Sequence, residues 1–208
     1  MKVCEVFASI QGEGSLSGIP MIFVRLTGCN LRCTYCDTKY AYYEGEEVSI
    51  SELLKKIHSF PFKYVEITGG EPLLQDETYT LIDELLKTHY VIIETNGSIS
   101  IEKVKPEVKI IMDIKTPGSG MSERNYIENL RFLKENDEVK FVLTDRIDYE
   151  WAKNFIRNYK IKAKEILFSP AYGILNPAEL AKWIVNDGLS VRLNLQIHKY
   201  IFGDIRGV

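Results

Sequence analysis

Short runs rich in β-branched and apolar residues, separated by stretches with helical periodicity, constrain this chain more than any other feature. The runs cover 21–27, 63–68, 90–95, 108–114, 138–143, 165–168 and 190–195, and each reads as a strand. Between them, Ile50, Leu53, Leu54 and Ile57 fall on one helical face, as do Leu81, Ile82, Leu85 and Leu86, and segments 149–159 and 177–185 repeat the pattern. Alternating strands and helices imply right-handed crossovers and a parallel sheet, whose doubly covered strands tolerate near-continuous apolar sequence. About six or seven strands are too few for a closed eight-stranded barrel. The expected fold is therefore α/β: a partial (β/α) barrel of mainly parallel strands, with functional loops at the strand carboxyl ends. Those loops are 69–72, 95–97, 115–121 and 169–176.

A chain of 208 residues with 45% hydrophobic content can hide roughly 70% of its unfolded surface, so one domain over 1–208 is expected. The 26 basic and 29 acidic residues are interleaved, for a formal charge of −3, and no nucleic-acid partner is expected. The first nine residues are too polar for a signal segment, and no apolar run approaches the length of a membrane span. The expectation is a cytoplasmic protein without a membrane partner. Of four cysteines, three fall within eight residues, which suits metal binding in a reducing compartment better than disulfides.

Those three are Cys29, Cys33 and Cys36, spaced C-x3-C-x2-C just past the strand at 21–27. Three thiolates on a four-iron cluster leave one iron without a protein ligand, and an open position lets a metal centre bind and activate something. The alternative is structural zinc, which wants four ligands and would need Cys4; in an N-terminal strand Cys4 reads instead as a small buried hydrophobe. The loop, with the aromatic Tyr35 before the third cysteine, resembles that of the radical S-adenosylmethionine (SAM) superfamily. This resemblance implies a 4Fe-4S cluster on the three cysteines, SAM chelated at the open iron, and a 5′-deoxyadenosyl radical made by reductive cleavage. Thr68-Gly69-Gly70-Glu71-Pro72 is alone only a strand-to-helix turn, but beside the cysteine loop it resembles the superfamily's GGEP motif. That likeness implies a backbone contact near Gly70 with the SAM ammonium.

Glu5 to Gly14 (EVFASIQGEG), Arg25, Cys36-Asp37-Thr38 and Gln196-Ile197-His198-Lys199-Tyr200 resemble the 7-carboxy-7-deazaguanine synthases over nearly the whole chain. The resemblance implies conversion of 6-carboxy-5,6,7,8-tetrahydropterin to 7-carboxy-7-deazaguanine and ammonia by radical ring contraction, toward queuosine-type nucleosides. It implies pterin contacts at Ile10, Gln11, Gly12, Arg25 and Thr68, with Arg25 on the substrate carboxylate. It implies SAM contacts at Gly70, Asp113, Ile114, Lys115, Ser169, Pro170, Ala171 and Tyr172, and Mg2+ on Thr38. Many members carry Ser-Pro-Lys where this chain has Asp113-Ile114-Lys115, so Lys115 transfers best. His198 is expected to pack or hydrogen-bond rather than catalyse. A homodimer and a separate, unidentified electron donor are implied as well. The rival readings are a glycyl-radical activating enzyme, which shares the cysteine spacing, and a non-catalytic metal-stabilised module.

Overall fold

A computed structural model describes residues 1–208. Its centre is a nine-stranded sheet in the order β3-β1-β2-β4-β5-β6-β7-β8-β9. The strands are β1 (Lys2–Ile10), β2 (Pro20–Leu26), β3 (Glu46–Glu47), β4 (Tyr64–Gly69), β5 (Tyr90–Thr95), β6 (Lys109–Asp113), β7 (Glu138–Leu143), β8 (Glu165–Pro170) and β9 (Arg192–Leu193). From β2 to β9 every neighbouring pair is parallel, as the expected partial barrel requires. β1 and β3 extend the sheet antiparallel at one edge.

Four helices cover the sheet where the periodicity places them: α1 (Ile50–His58), α2 (Glu77–Leu85), α3 (Arg146–Asn158) and α4 (Pro177–Asn186). Three of their starts are capped by local side chains. Ser49 and Glu52 form a reciprocal capping box, Asp145 accepts from the Asp148 N–H, and Asn176 caps α4 with Pro177 at its first position. Each helix buries one stripe, such as Leu81, Ile82 and Leu85, against a core that includes Val24, Ile67, Ile93, Met112, Phe141 and Phe168.

Strand and helix do not alternate throughout. The crossover from β5 to β6 has no helix; Asn129 instead satisfies its backbone, accepting from the Ile101 N–H at 3.0 Å and donating to the Ile99 carbonyl at 2.8 Å. The crossover from β6 to β7 is three single 3-10 turns, at Pro117–Ser119, Ser122–Arg124 and Ile127–Arg131. Pro117, Gly118 and Gly120 leave no room there for a helical run. The C-terminal segment, expected as a strand over 190–195, forms only the two-residue β9 before α5 (Ile197–Phe202).

The sheet does not close by strand pairing; the β1–β2 loop bridges its open side. The Gly14 N–H donates to Asn194 Oδ1 at 2.7 Å, the Ser15 N–H to Glu138 Oε1 at 3.1 Å, and the Ile197 N–H to the Gly12 carbonyl at 2.9 Å. Gly12 packs so closely on His198 that a Cβ there would lie 1.8 Å from Nδ1.

Candidate active site

A cavity of about 370 Å³ opens at the carboxyl ends of the parallel strands, and Cys29, Cys33 and Cys36 all line it. The loop that carries them is fixed from two sides. The Glu71 N–H donates to the Gly28 carbonyl at 2.8 Å and the Gly70 N–H to the Leu26 carbonyl at 3.1 Å, tying it to the turn after β4. Across the cavity, Thr34 donates from its N–H to the Ser119 carbonyl at 3.1 Å and from Oγ1 to the Gly118 carbonyl at 2.7 Å. Gly70 seals the junction: a Cβ there would lie 2.1 Å from the Gly28 carbonyl oxygen and 2.9 Å from the Cys29 Cβ.

Glu71 is fully buried and acts as the clamp beneath this junction. Its carboxylate accepts from the Leu73 N–H at 3.0 Å, the Thr95 hydroxyl at 2.9 Å and the Asn96 N–H at 2.6 Å. Burial pushes its pKa up to about 7 against those hydrogen bonds.

No three His, Cys, Asp or Glu side chains come close enough to hold a single metal ion. The three thiols line one cavity, and a four-iron cluster, which takes each thiolate on a different iron, would suit three such ligands better than a single ion. Burial pushes the Cys29 and Cys33 thiols up, and a metal would deprotonate them. At Cys29 the Leu31 N–H and the Asn96 amide point at Sγ, from 3.4 and 3.8 Å. One buried polar atom of a cavity-lining side chain, Tyr35 Oη, has no hydrogen-bond partner, and a polar cofactor would supply one. The donor set and the orphaned Tyr35 hydroxyl therefore fit a cluster with an organic ligand beside it.

The other expected site residues meet in the same cavity with one exception. Ile10, Gln11, Gly12, Arg25, Thr38, Thr68 and Gly70 line it, as do Asp113, Lys115 and the run Ser169 to Tyr172. Ile114 does not: strand alternation turns Asp113 and Lys115 toward the cavity and Ile114 into the hydrophobic core. Arg25 and Thr68 are register partners on β2 and β4, so both project from the same row. Thr38 Oγ1 donates to Asp37 Oδ1 at 2.9 Å, and Asp37 Oδ2 accepts from Lys199 Nζ at 2.8 Å. His198 lines the cavity while packing on Gly12.

Beneath these lies a charged floor that the motifs do not announce. Lys140, buried on β7, holds Glu13 at 3.1 Å, bonds Glu94, and stands 3.4 Å from Asp113. Lys115 Nζ meets the other Asp113 oxygen at 2.5 Å. Burial would raise the Asp113 pKa, but Lys115 and Lys140 outweigh it and hold the carboxyl low. Glu66 goes the other way, pushed up by burial and by the Glu94 charge, and the Gln11 amide donates to it. The available sign was a charge inside each apolar strand: Glu66 in KYVEIT, Glu94 in YVIIET and Lys140 in EVKFVL.

The pattern of the Radical SAM superfamily matches residues 23–145, more than half of the chain. The 7-carboxy-7-deazaguanine synthase of Chlorobaculum tepidum is 44% identical over 214 residues, covering 100% of this chain and 97% of that relative. The chain belongs to the 7-carboxy-7-deazaguanine synthase family. The synthase of Koribacter versatilis is 42% identical and covers 97% of both chains. The crystal structure of QueE from Escherichia coli superposes with a TM-score of 0.77 at 25% identity, over 94% of this chain and 93% of that one. Family membership makes the protein a radical SAM enzyme that uses a 4Fe-4S cluster and SAM. It also decides against the glycyl-radical activating enzyme and the non-catalytic module.

Proposed function

We propose that this chain converts 6-carboxy-5,6,7,8-tetrahydropterin to 7-carboxy-7-deazaguanine and ammonia. The observation that carries this is the single cavity in which Gln11, Arg25 and Thr68 face the three-cysteine loop, in a chain that matches the synthases over its full length. Cys29, Cys33 and Cys36 would hold the cluster; Gly70, Asp113, Lys115 and the 169–172 run would hold SAM. When bound, cluster and SAM supply a 5′-deoxyadenosyl radical for hydrogen abstraction from the substrate. The chain's own task is to bind, orient and exclude water. Arg25 offers a planar fork to the substrate carboxylate, and Thr68 adds a hydroxyl from the next strand. Ile10, Gln11 and Gly12 flank the heterocycle, with Gln11 held in place by Glu66. Thr38 offers one oxygen to Mg2+, leaving the remaining positions to substrate and water.

The homodimer, the separate electron donor and a cytoplasmic location belong to the same reading, supported by family resemblance. No helix is long and apolar enough to cross a membrane, and all four cysteines are free. The test is anaerobic incubation of the reconstituted protein with reductant, SAM and the carboxytetrahydropterin, read by mass spectrometry. The expected result is 7-carboxy-7-deazaguanine with ammonia in equal amount; a SAM-cleaving enzyme that leaves this pterin unchanged would overturn the assignment.

A further inference from the structure

We propose that Glu5 is a positioning residue for substrate recognition, turned onto the cavity face of β1 by a β-bulge at Cys4 and holding the Arg25 guanidinium so that its terminal nitrogens face the ligand. The proposal rests on the reading that Arg25 meets the substrate carboxylate.

The bulge is explicit in the strand register. Val3 pairs with Leu26, yet Glu5 pairs with Arg25, so β1 spends one more residue than β2 between the two pairs. In unbroken alternation Val3 and Glu5 would share a face. The extra residue separates them: Val3 packs in the hydrophobic core, and Glu5 stands beside Arg25. A bulge re-aims side chains in this way and is common beside active sites.

Glu5 is then held from three directions. Its Oε1 accepts from Arg25 Nε at 2.7 Å and from Tyr40 Oη at 2.9 Å, while Oε2 accepts from Arg206 Nε at 3.0 Å. Arg206, from the C-terminal tail, also bonds Glu44 at 2.6 Å and lies 3.9 Å over the Tyr40 ring. A carboxylate so tethered has little freedom to swing, and the Arg25 side chain tethered to it has little more. Arg25 spends only Nε on the protein. The four N–H groups of its two terminal nitrogens remain for a ligand, in the fork that matches a carboxylate. Ordering a free arginine on binding would cost affinity, and Glu5 meets that cost during folding.

Positioning and simple charge neutralisation predict opposite signs. If Glu5 only dampened the Arg25 charge, Glu5→Gln would strengthen carboxylate binding; if it positions Arg25, the same change weakens it.

The experiment measures anaerobic binding to the reconstituted holoenzyme with SAM and no reductant. Two ligands are compared, 6-carboxytetrahydropterin and the tetrahydropterin lacking the carboxylate. Glu5→Gln is expected to weaken the first by about tenfold, the scale of one charge-assisted hydrogen bond, and to leave the second within about twofold. In turnover, KM for the carboxylated substrate rises more than kcat falls, and Glu5→Asp recovers part of the loss.

Arg25→Gln separates the role of Glu5 from that of Arg25. Should it abolish discrimination between the ligands while Glu5→Gln keeps or sharpens it, the positioning role fails and the Arg25 assignment stands. Unchanged discrimination in Arg25→Gln removes both. If circular dichroism shows that Glu5→Gln does not fold, Tyr40→Phe removes one bond from the same Oε1. About a two- to threefold loss confined to the carboxylated ligand is then expected, and no loss overturns the proposal.

Discussion

At Gly70 one missing methyl group lets the turn after β4 and the cysteine loop lie against each other. The atoms that a side chain would strike are the Gly28 carbonyl, at 2.1 Å, and the Cys29 Cβ, at 2.9 Å; backbone of this kind cannot step aside as a flexible side chain would. Gly70→Ala is therefore expected to cost about 1–3 kcal/mol and to displace Cys29. Denaturant unfolding should register the first effect, and a sharply lower iron content after anaerobic reconstitution the second. Cys4→Ala, remote from the loop, should bind iron like the parent. Thr38 is a milder case, because its hydroxyl bonds only Asp37. Thr38→Ala should load iron normally but turn over slowly, with a flattened response to added Mg2+. A magnesium titration superimposable on that of the parent would remove the metal from this residue.

Elements meet at places that the individual patterns do not reveal. His58 ends α1 and His89 precedes β5, and their rings stack at 5.4 Å with Thr88 Oγ1 bonded to both. Burial, then His58 and Lys63, push the His89 pKa below its ordinary 6.5, so the folded state prefers the neutral ring. The stability from this contact is intact above that ordinary value and lost as the pH falls through it and on through the lowered folded-state pKa. Both rings are partly open to solvent, so screening keeps the effect small. Between about pH 7.5 and pH 5 the parent should lose about 1–2 °C more in melting temperature than His89→Gln. Equal slopes would show that the His89 ring does not couple to folding. The two helix-free crossovers show a related limit. Asn129 and the 3-10 turns do the work of helices there because Pro and Gly punctuate both segments, and without helices those loops can fold over the cavity toward the cysteines.

For the whole molecule, the decisive contact is the bridge that the β1–β2 loop makes across the open side of the sheet. Asn194, just past β9, joins three parts at once: it accepts from the Gly14 N–H at 2.7 Å and donates to Ser169 Oγ at 2.8 Å and Glu13 Oε2 at 3.2 Å. Asn194→Ala leaves a buried N–H without an acceptor, at about 1–3 kcal/mol. It should also raise amide exchange across residues 11–18, because these are held from the far edge of the sheet. Hydrogen exchange read by mass spectrometry checks this. Protection in 11–18 equal to that of the parent would mean that Glu138, on Ser15, and Gln196, which donates to Glu13 Oε1 at 2.9 Å, hold the bridge without Asn194.

The seven parallel strands, the four amphipathic helices and the cysteine loop were legible because each depends on short-range information: period, caps, and three cysteines within eight residues. The motifs likewise carried nearly all of the expected site into one cavity. What they could not convey was which side of a strand a residue faces after a bulge, hence Glu5 beside Arg25, or that Ile114 turns into the core between two cavity residues. Nor could they bring together Glu66, Glu94 and Lys140, from three different strands, or tie Asn194 to Gly14 across 180 residues. Sequence by itself determined the elements and placed three cysteines in one loop. The tertiary structure alone decided the charged floor and the bridge, because buried charges and orphan N–H groups are matched by proximity in space, to which separation along the chain is no guide.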